Sequence, residues 1–156
     1  MMRARMAGFT FIELMVVMAI AGLLLVVSVP NFTKLIETQE YRGAVRDVVS
    51  AARAAKTRAI RTNRPVDLAI DTQSRTLFVS PAGDFEVREP LVTLPDFVEV
   101  SVTSAAGLAP NDGRSVIRFY PAGGSTGGDI ELLRPSGVGH LIQVGWLLGN
   151  VSPQPI

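Results

Sequence analysis

Residues 8–17 read GFTFIELMVV, and the reading of one residue in them, Glu13, decides the fold. From Phe9 to Val29 stand 21 residues, of which Glu13 alone is charged. As a helix rising about 1.5 Å per residue they would extend roughly 30 Å, one hydrocarbon core. A carboxylate in such a run costs about 2.5 kcal/mol or more unless it finds a partner. Glu13 therefore asks for a function.

Ahead of the run stands MMRARMAG, with Arg3 and Arg5 and no acidic residue. Positive residues beside a first span keep that flank in the cytoplasm, which places the following chain outside. Three readings fit the layout. A secretory signal could be cut at the small residues Ala19–Ile20–Ala21, but its core would hold Glu13 and the mature end would begin GLLLVVSV. An uncleaved plain anchor leaves Glu13 without a purpose. A helix that takes part in assembly gives it one.

Outward from this stretch the chain changes character twice. Over residues 31–64 the pattern stays helical, with Val45, Val48, Val49, Ala52, Ala55, Ala59 and Ile60 recurring at spacings of three and four. Asn63, Arg64 and Pro65 end this stem. From Pro65 the period becomes two: VDLAID, RTLFVS, FVEVSVT, SVIRFY, DIELLR and HLIQVGWLL alternate with turn-rich SPAGD, SAAGLAPNDG, PAGGSTGGD and RPSGVG. The expectation is an α+β fold, one long helix packed on an antiparallel β domain of two small sheets, with SPQPI as a loose tail. The organisation follows as residues 1–8, 9–30, 31–64 and 65–156.

The net charge of +1 conceals an asymmetry. Residues 31–64 hold eight Lys/Arg and three Asp/Glu, whereas residues 65–156 hold five and ten. Arg42, Arg46, Arg53, Lys56, Arg58, Arg61 and Arg64 make a face of the stem basic, either a solvated helix face, a contact for an acidic partner or a nucleic-acid surface. The acidic remainder disfavours a large nucleic-acid footprint. The absence of cysteine excludes disulfides, thiolate metal sites and thiol catalysis.

Other candidates for chemistry are weak. The loop AGGSTGGD, residues 122–129, lacks the Gly-Lys-Ser/Thr ending of a phosphate loop and precedes no helix. His140, the single histidine, has no nucleophile or ligand pattern around it. Asp71, Asp84, Asp112 and Asp129 read as turn residues and Trp146 as core within an apolar strand. No enzyme, metal or cofactor is expected.

The stretch GFTFIELMVVMAIAGLLLVVSVPNF resembles the prepilin N-terminus of type IV pilins and type II secretion pseudopilins, through Gly8 before Phe9, Glu13, Gly22 and Pro30. The resemblance implies cleavage between Gly8 and Phe9 by a membrane peptidase that then methylates the Phe9 amine, leaving 148 residues (156 − 8). It implies a helix break at Pro30, and other pseudopilins, the peptidase/methyltransferase and the inner membrane as partners. Cleavage would place a positive amine four residues from Glu13 on one side of the helix, so the two could neutralise each other within or between subunits. The stretches AARAAKTRAIRTNRPVDLAID and IRFYPAGGSTGGDIELLRPSG resemble the GspH/FimT group of minor pseudopilins and pilins. This implies a minor pseudopilin of a type II secretion system, anchored in the inner membrane with a periplasmic β domain. The alternative is a FimT-like minor pilin aiding pilus assembly or DNA uptake. Members of the DNA-uptake branch carry a Gly-Arg-x-Arg element, where this chain has Gly149, Asn150, Val151 and Ser152, which favours secretion.

Overall fold

The computed structural model describes residues 9–84, 86, 90–104 and 113–156, with the backbone alone for 25–34. Helix α1 runs Phe11–Thr62, followed by β1 (Val66–Asp71), β2 (Thr76–Pro81), β3 (Val92–Thr93), β4 (Glu99–Ser104), β5 (Ser115–Phe119), β6 (Gly128–Leu133), β7 (Gly139–Val144) and β8 (Val151–Pro155). The chain divides into two compact units, residues 1–39 and 40–156. The α+β expectation with two sheets holds.

The break expected at Pro30 is corrected: the backbone is helical on both sides of it and through it. Proline removes one i→i−4 bond from a helix, and the bonds above and below can still carry the chain through. In the first unit the apolar side chains of Phe11, Ile12, Leu14, Met18, Leu23 and their neighbours are exposed. Among the described residues no helix is long and apolar enough to cross a membrane, and the end of the apolar run lies among residues 25–34.

The second unit holds the core. Its two sheets are four-stranded and antiparallel, in the orders β3-β2-β1-β5 and β4-β6-β7-β8. Tyr41, Val45, Val48, Val49, Ala52, Ala55 and Ala59 on the helix are buried in one cluster with Leu68, Ile70, Ile117, Phe119, Ile130, Leu132 and Ile142. Alanine at three- and four-residue spacing lets the sheets approach the helix axis, while the bulk comes from the strands. Ile60, expected in this stripe, is instead exposed, because at about 100° per residue it turns away from buried Ala59 onto the arc that holds Arg42 and Arg46.

The expected loose tail is strand β8, paired along its length with β7 from Val144↔Val151 to His140↔Pro155. Gly139 and Ile156 exchange both backbone bonds and Gly145 N–H donates to Asn150, which fixes the alternation. Residues 153 and 155 therefore point their backbone nitrogens away from β7. Both are proline, so the outer edge of the sheet lacks two donors that another strand would need. These prolines belong to an edge strand, not to a disordered end.

Candidate assembly surface

The N-terminal motif lies where α1 starts. Gly8 is outside the described residues; Phe9 is exposed and precedes the helix, and Glu13 is exposed in its first turn. Thr10 caps that turn: its Oγ1 accepts from the Glu13 N–H at 3.3 Å, and its carbonyl accepts from Leu14 N–H at 3.2 Å. Thr10-Phe11-Ile12-Glu13 has the spacing of a capping box, a local reason for Thr10 and Glu13 that stands beside the assembly role. A negative side chain there also meets the positive end of the helix dipole.

Along the stem of the second unit, charge is sorted by face. At about 100° per residue Arg42, Arg46, Arg53 and Lys56 fall within one arc of about 80°. Lys56 Nζ donates to the Leu148 carbonyl at 2.7 Å, and Arg53 Nη2 lies 3.5 Å from the Val151 carbonyl, so this arc flanks β8 and the turn before it. Glu40 and Asp47 lie about 140–160° from Arg42 on the helix. They border a shallow cavity shared with Leu94, Pro95 and Asp96. The face expected to be basic is thus partly engaged with the sheets, Arg58 also reaching toward the Val79 carbonyl at 3.5 Å.

Two polar clusters hold the unit together. Tyr41 is buried, and its hydroxyl donates to the Leu132 carbonyl at 2.9 Å and stands 3.0 Å from His140 Nδ1. A proton on Nδ1 lets His140 donate back to that hydroxyl. Arg134 lies over the Tyr41 ring, 4.9 Å from its centre. Burial raises the Tyr41 pKa, opposed by the Arg134 charge and by hydrogen bonding from the His140 backbone. His140, for which the sequence offered no role, thus joins helix to sheet.

The second cluster was not anticipated. Asp67, fully buried in β1, accepts from Arg118 Nε at 2.7 Å and Nη2 at 2.9 Å, and from Gly83 N–H at 2.9 Å. The hydrogen bonds to Asp67 push the Arg118 guanidinium above its ordinary range, against the effect of burial. Asp67 and Arg118 are direct cross-strand neighbours, the position where opposite charges support a sheet. Their sequence signal is one acid and one base, each alone in an otherwise apolar stretch of strand.

Trp146 is the clearest correction. It is not core: Trp146, Leu147 and Leu148 are 70%, 65% and 67% exposed, in the turn between β7 and β8. The glycine-rich loop lies beneath them. Ser125 N–H donates to the Trp146 carbonyl at 2.8 Å and Ser125 Oγ to the Gly145 carbonyl at 3.0 Å. A Cβ on Gly124 would stand 3.0 Å from the Trp146 carbonyl oxygen, so the loop can approach only without a side chain there. Asp71 does form its expected turn, accepting from Gln73 and Ser74 N–H at 2.9 and 3.0 Å. Asp84 accepts from Glu86 N–H, Asp129 lies within β6, and Asp112 is outside the described residues. Among the described residues no group of His, Asp and Glu could hold a metal ion.

Comparison with known proteins gives a consistent result. Residues 44–147 match the family described as type II transport protein GspH, and residues 3–29 match the prokaryotic N-terminal methylation motif. Over 154 residues, 99% of this chain and 86% of the relative, it is 29% identical to type II secretion system protein H of Xanthomonas campestris pv. campestris. The minor pseudopilin EpsH of the type 2 secretion system of Vibrio cholerae has a similar fold, with a TM-score of 0.56 at 11% identity, covering 74% of this chain and 96% of that one. The type IV minor pilin FimU of Pseudomonas aeruginosa gives 0.58 at 13% identity, covering 78% and 92%.

Proposed function

The chain belongs to the GspH family of type II transport proteins, and from that premise we propose how it works as a minor pseudopilin of a type II secretion system. The observation that carries the reading is the contrast along α1. Its first part bears apolar side chains that its own unit leaves exposed, and its second part is buried in a complete β-rich domain. Such a molecule has one half built to be covered by other helices and one half that is self-sufficient.

In this reading the peptidase cuts between Gly8 and Phe9 on the cytoplasmic side and methylates the Phe9 amine. The helix waits in the inner membrane with residues 40–156 in the periplasm. On assembly, the helices of neighbouring subunits cover the apolar side chains, and Glu13 pairs with an N-terminal amine. Removing an unpaired carboxylate from an apolar medium favours the subunit that supplies the amine, which sets axial register. The role is structural, with no catalytic step.

A deletion strain assayed in parallel for enzyme export, surface pili and DNA uptake tests the assignment. Lost export with normal pili and uptake is expected. Lost pili or uptake with normal export would move the chain to the pilin branch, with Arg42 and Arg46 the first residues to mutate.

A further inference from the structure

The turn at Gly145–Gly149 presents three large apolar side chains to solvent on a backbone held at Gly145, Trp146, Leu148 and Gly149. Gly145 N–H donates to Asn150 and Gly149 N–H to Gly145, each at 2.9 Å. Ser125 holds the Trp146 carbonyl, and Lys56 holds that of Leu148. Gly149 has φ +56, and a Cβ there would stand 2.6 Å from the Gly123 carbonyl oxygen, so the glycine-rich loop locks the turn from below. An exposed tryptophan on a fixed backbone is the kind of group that carries binding energy in a contact.

We propose that Trp146, Leu147 and Leu148 form a docking knob for a neighbouring, different pilin-like subunit, whose surface there is apolar and edged by carboxylates. The knob is continuous with the basic arc of the stem through the Lys56–Leu148 bond, so whatever covers it also meets Arg53 and Lys56, on the helix face that carries Arg46 and Arg42 about 15 and 21 Å further along. The opposite flank of this chain carries Glu40 and Asp47, with Leu91 exposed beside a hollow lined by Asp47, Ala51 and Ala54. The fold can therefore build the complementary surface. A second copy fits less well: Asp96 is already bound by Arg75 at 2.6 Å, which leaves Glu40 and Asp47 to face four cations. A more acidic relative matches the arc better.

This inference rests on the pseudopilin reading, and the test separates the two. A photo-reactive benzoylphenylalanine is placed at Leu147, and separately at Leu24 in the apolar helix, in the full chain within its own cells. Adducts are identified by mass spectrometry. The expected result is an adduct from each position, with the Leu147 adduct joining a different pilin-like subunit at a peptide containing Asp or Glu. An adduct at Leu24 with none at Leu147, or with only a second copy, a lipid or an exported protein at Leu147, overturns the knob and spares the reading. No adduct at either position overturns both. Trp146→Ser should lower export about tenfold or more at unchanged protein level, since removing a central aromatic anchor typically costs that much binding. Normal export by this variant overturns the proposal.

Discussion

At the scale of single residues, Glu13 serves two physical ends that substitution can separate. Glu13→Gln keeps a side chain able to complete the capping box with Thr10 and removes the charge; Glu13→Ala removes both. If charge pairing sets register, both variants insert in the membrane and both fail to enter filaments. Filament incorporation of the Gln variant at the normal level, read by shearing and immunoblot, would leave capping as the residue's whole role. Asp67 offers a second test. Asp67→Ala strands the Arg118 guanidinium and the Gly83 N–H, at a cost of about 3 kcal/mol; the low end of the range applies because Arg118 still reaches water. Denaturant unfolding measures it, and a change below about 1 kcal/mol would reduce the pair to surface value. Asp71 gives the pH dependence. Hydrogen bonding from Ser74 N–H, with further bonds from the same turn, lowers its pKa below 3.8. Its contribution to stability is thus present above that ordinary value and lost as pH falls through the lowered folded one. The carboxyl resonance of Asp71 should titrate with a midpoint under 3.8.

Among the elements, those whose pattern matched one physical cause were legible in the sequence. The helix showed through Val45, Val48, Val49 and the alanines, since one buried face imposes one period. β1, β2, β5 and β6 showed through alternating composition, although β1 is buried on both faces, Asp67 and Ala69 included. The errors came where two causes overlap. Gly145-Trp-Leu-Leu-Gly149 extends an apolar strand in composition, yet the two glycines four apart mark a turn. Its side chains are apolar for a partner's sake, which no periodicity within the chain records. SPQPI looked unstructured because proline breaks ladders, but prolines spaced by two can all face the outer edge of one strand. Asp67 was hidden because a buried acid in a strand becomes intelligible only with its cross-strand partner, 51 positions away. The edge strand carries its own prediction. Pro153→Thr with Pro155→Thr restores two outward N–H donors, and the double variant should self-associate at concentrations where the parent stays monomeric. Sedimentation of residues 40–156 carrying each sequence checks this, and equal behaviour would show that Arg53 and the helix already shield the edge.

For the whole molecule, the division at residue 40 places nearly all the buried apolar side chains on one side and the exposed apolar helix on the other. Residues 40–156 alone should therefore fold cooperatively, with both sheets intact by amide exchange. A fragment without protected β7 amides would mean that the first 39 residues are needed to complete the core. The sealed edge of β8 has a further consequence. Fibrils that grow by adding strand to strand bury dry interfaces and rarely come apart, whereas helices packed side by side separate again. At the β8 edge two prolines withhold the donors that strand-to-strand growth would need, and that route is closed there.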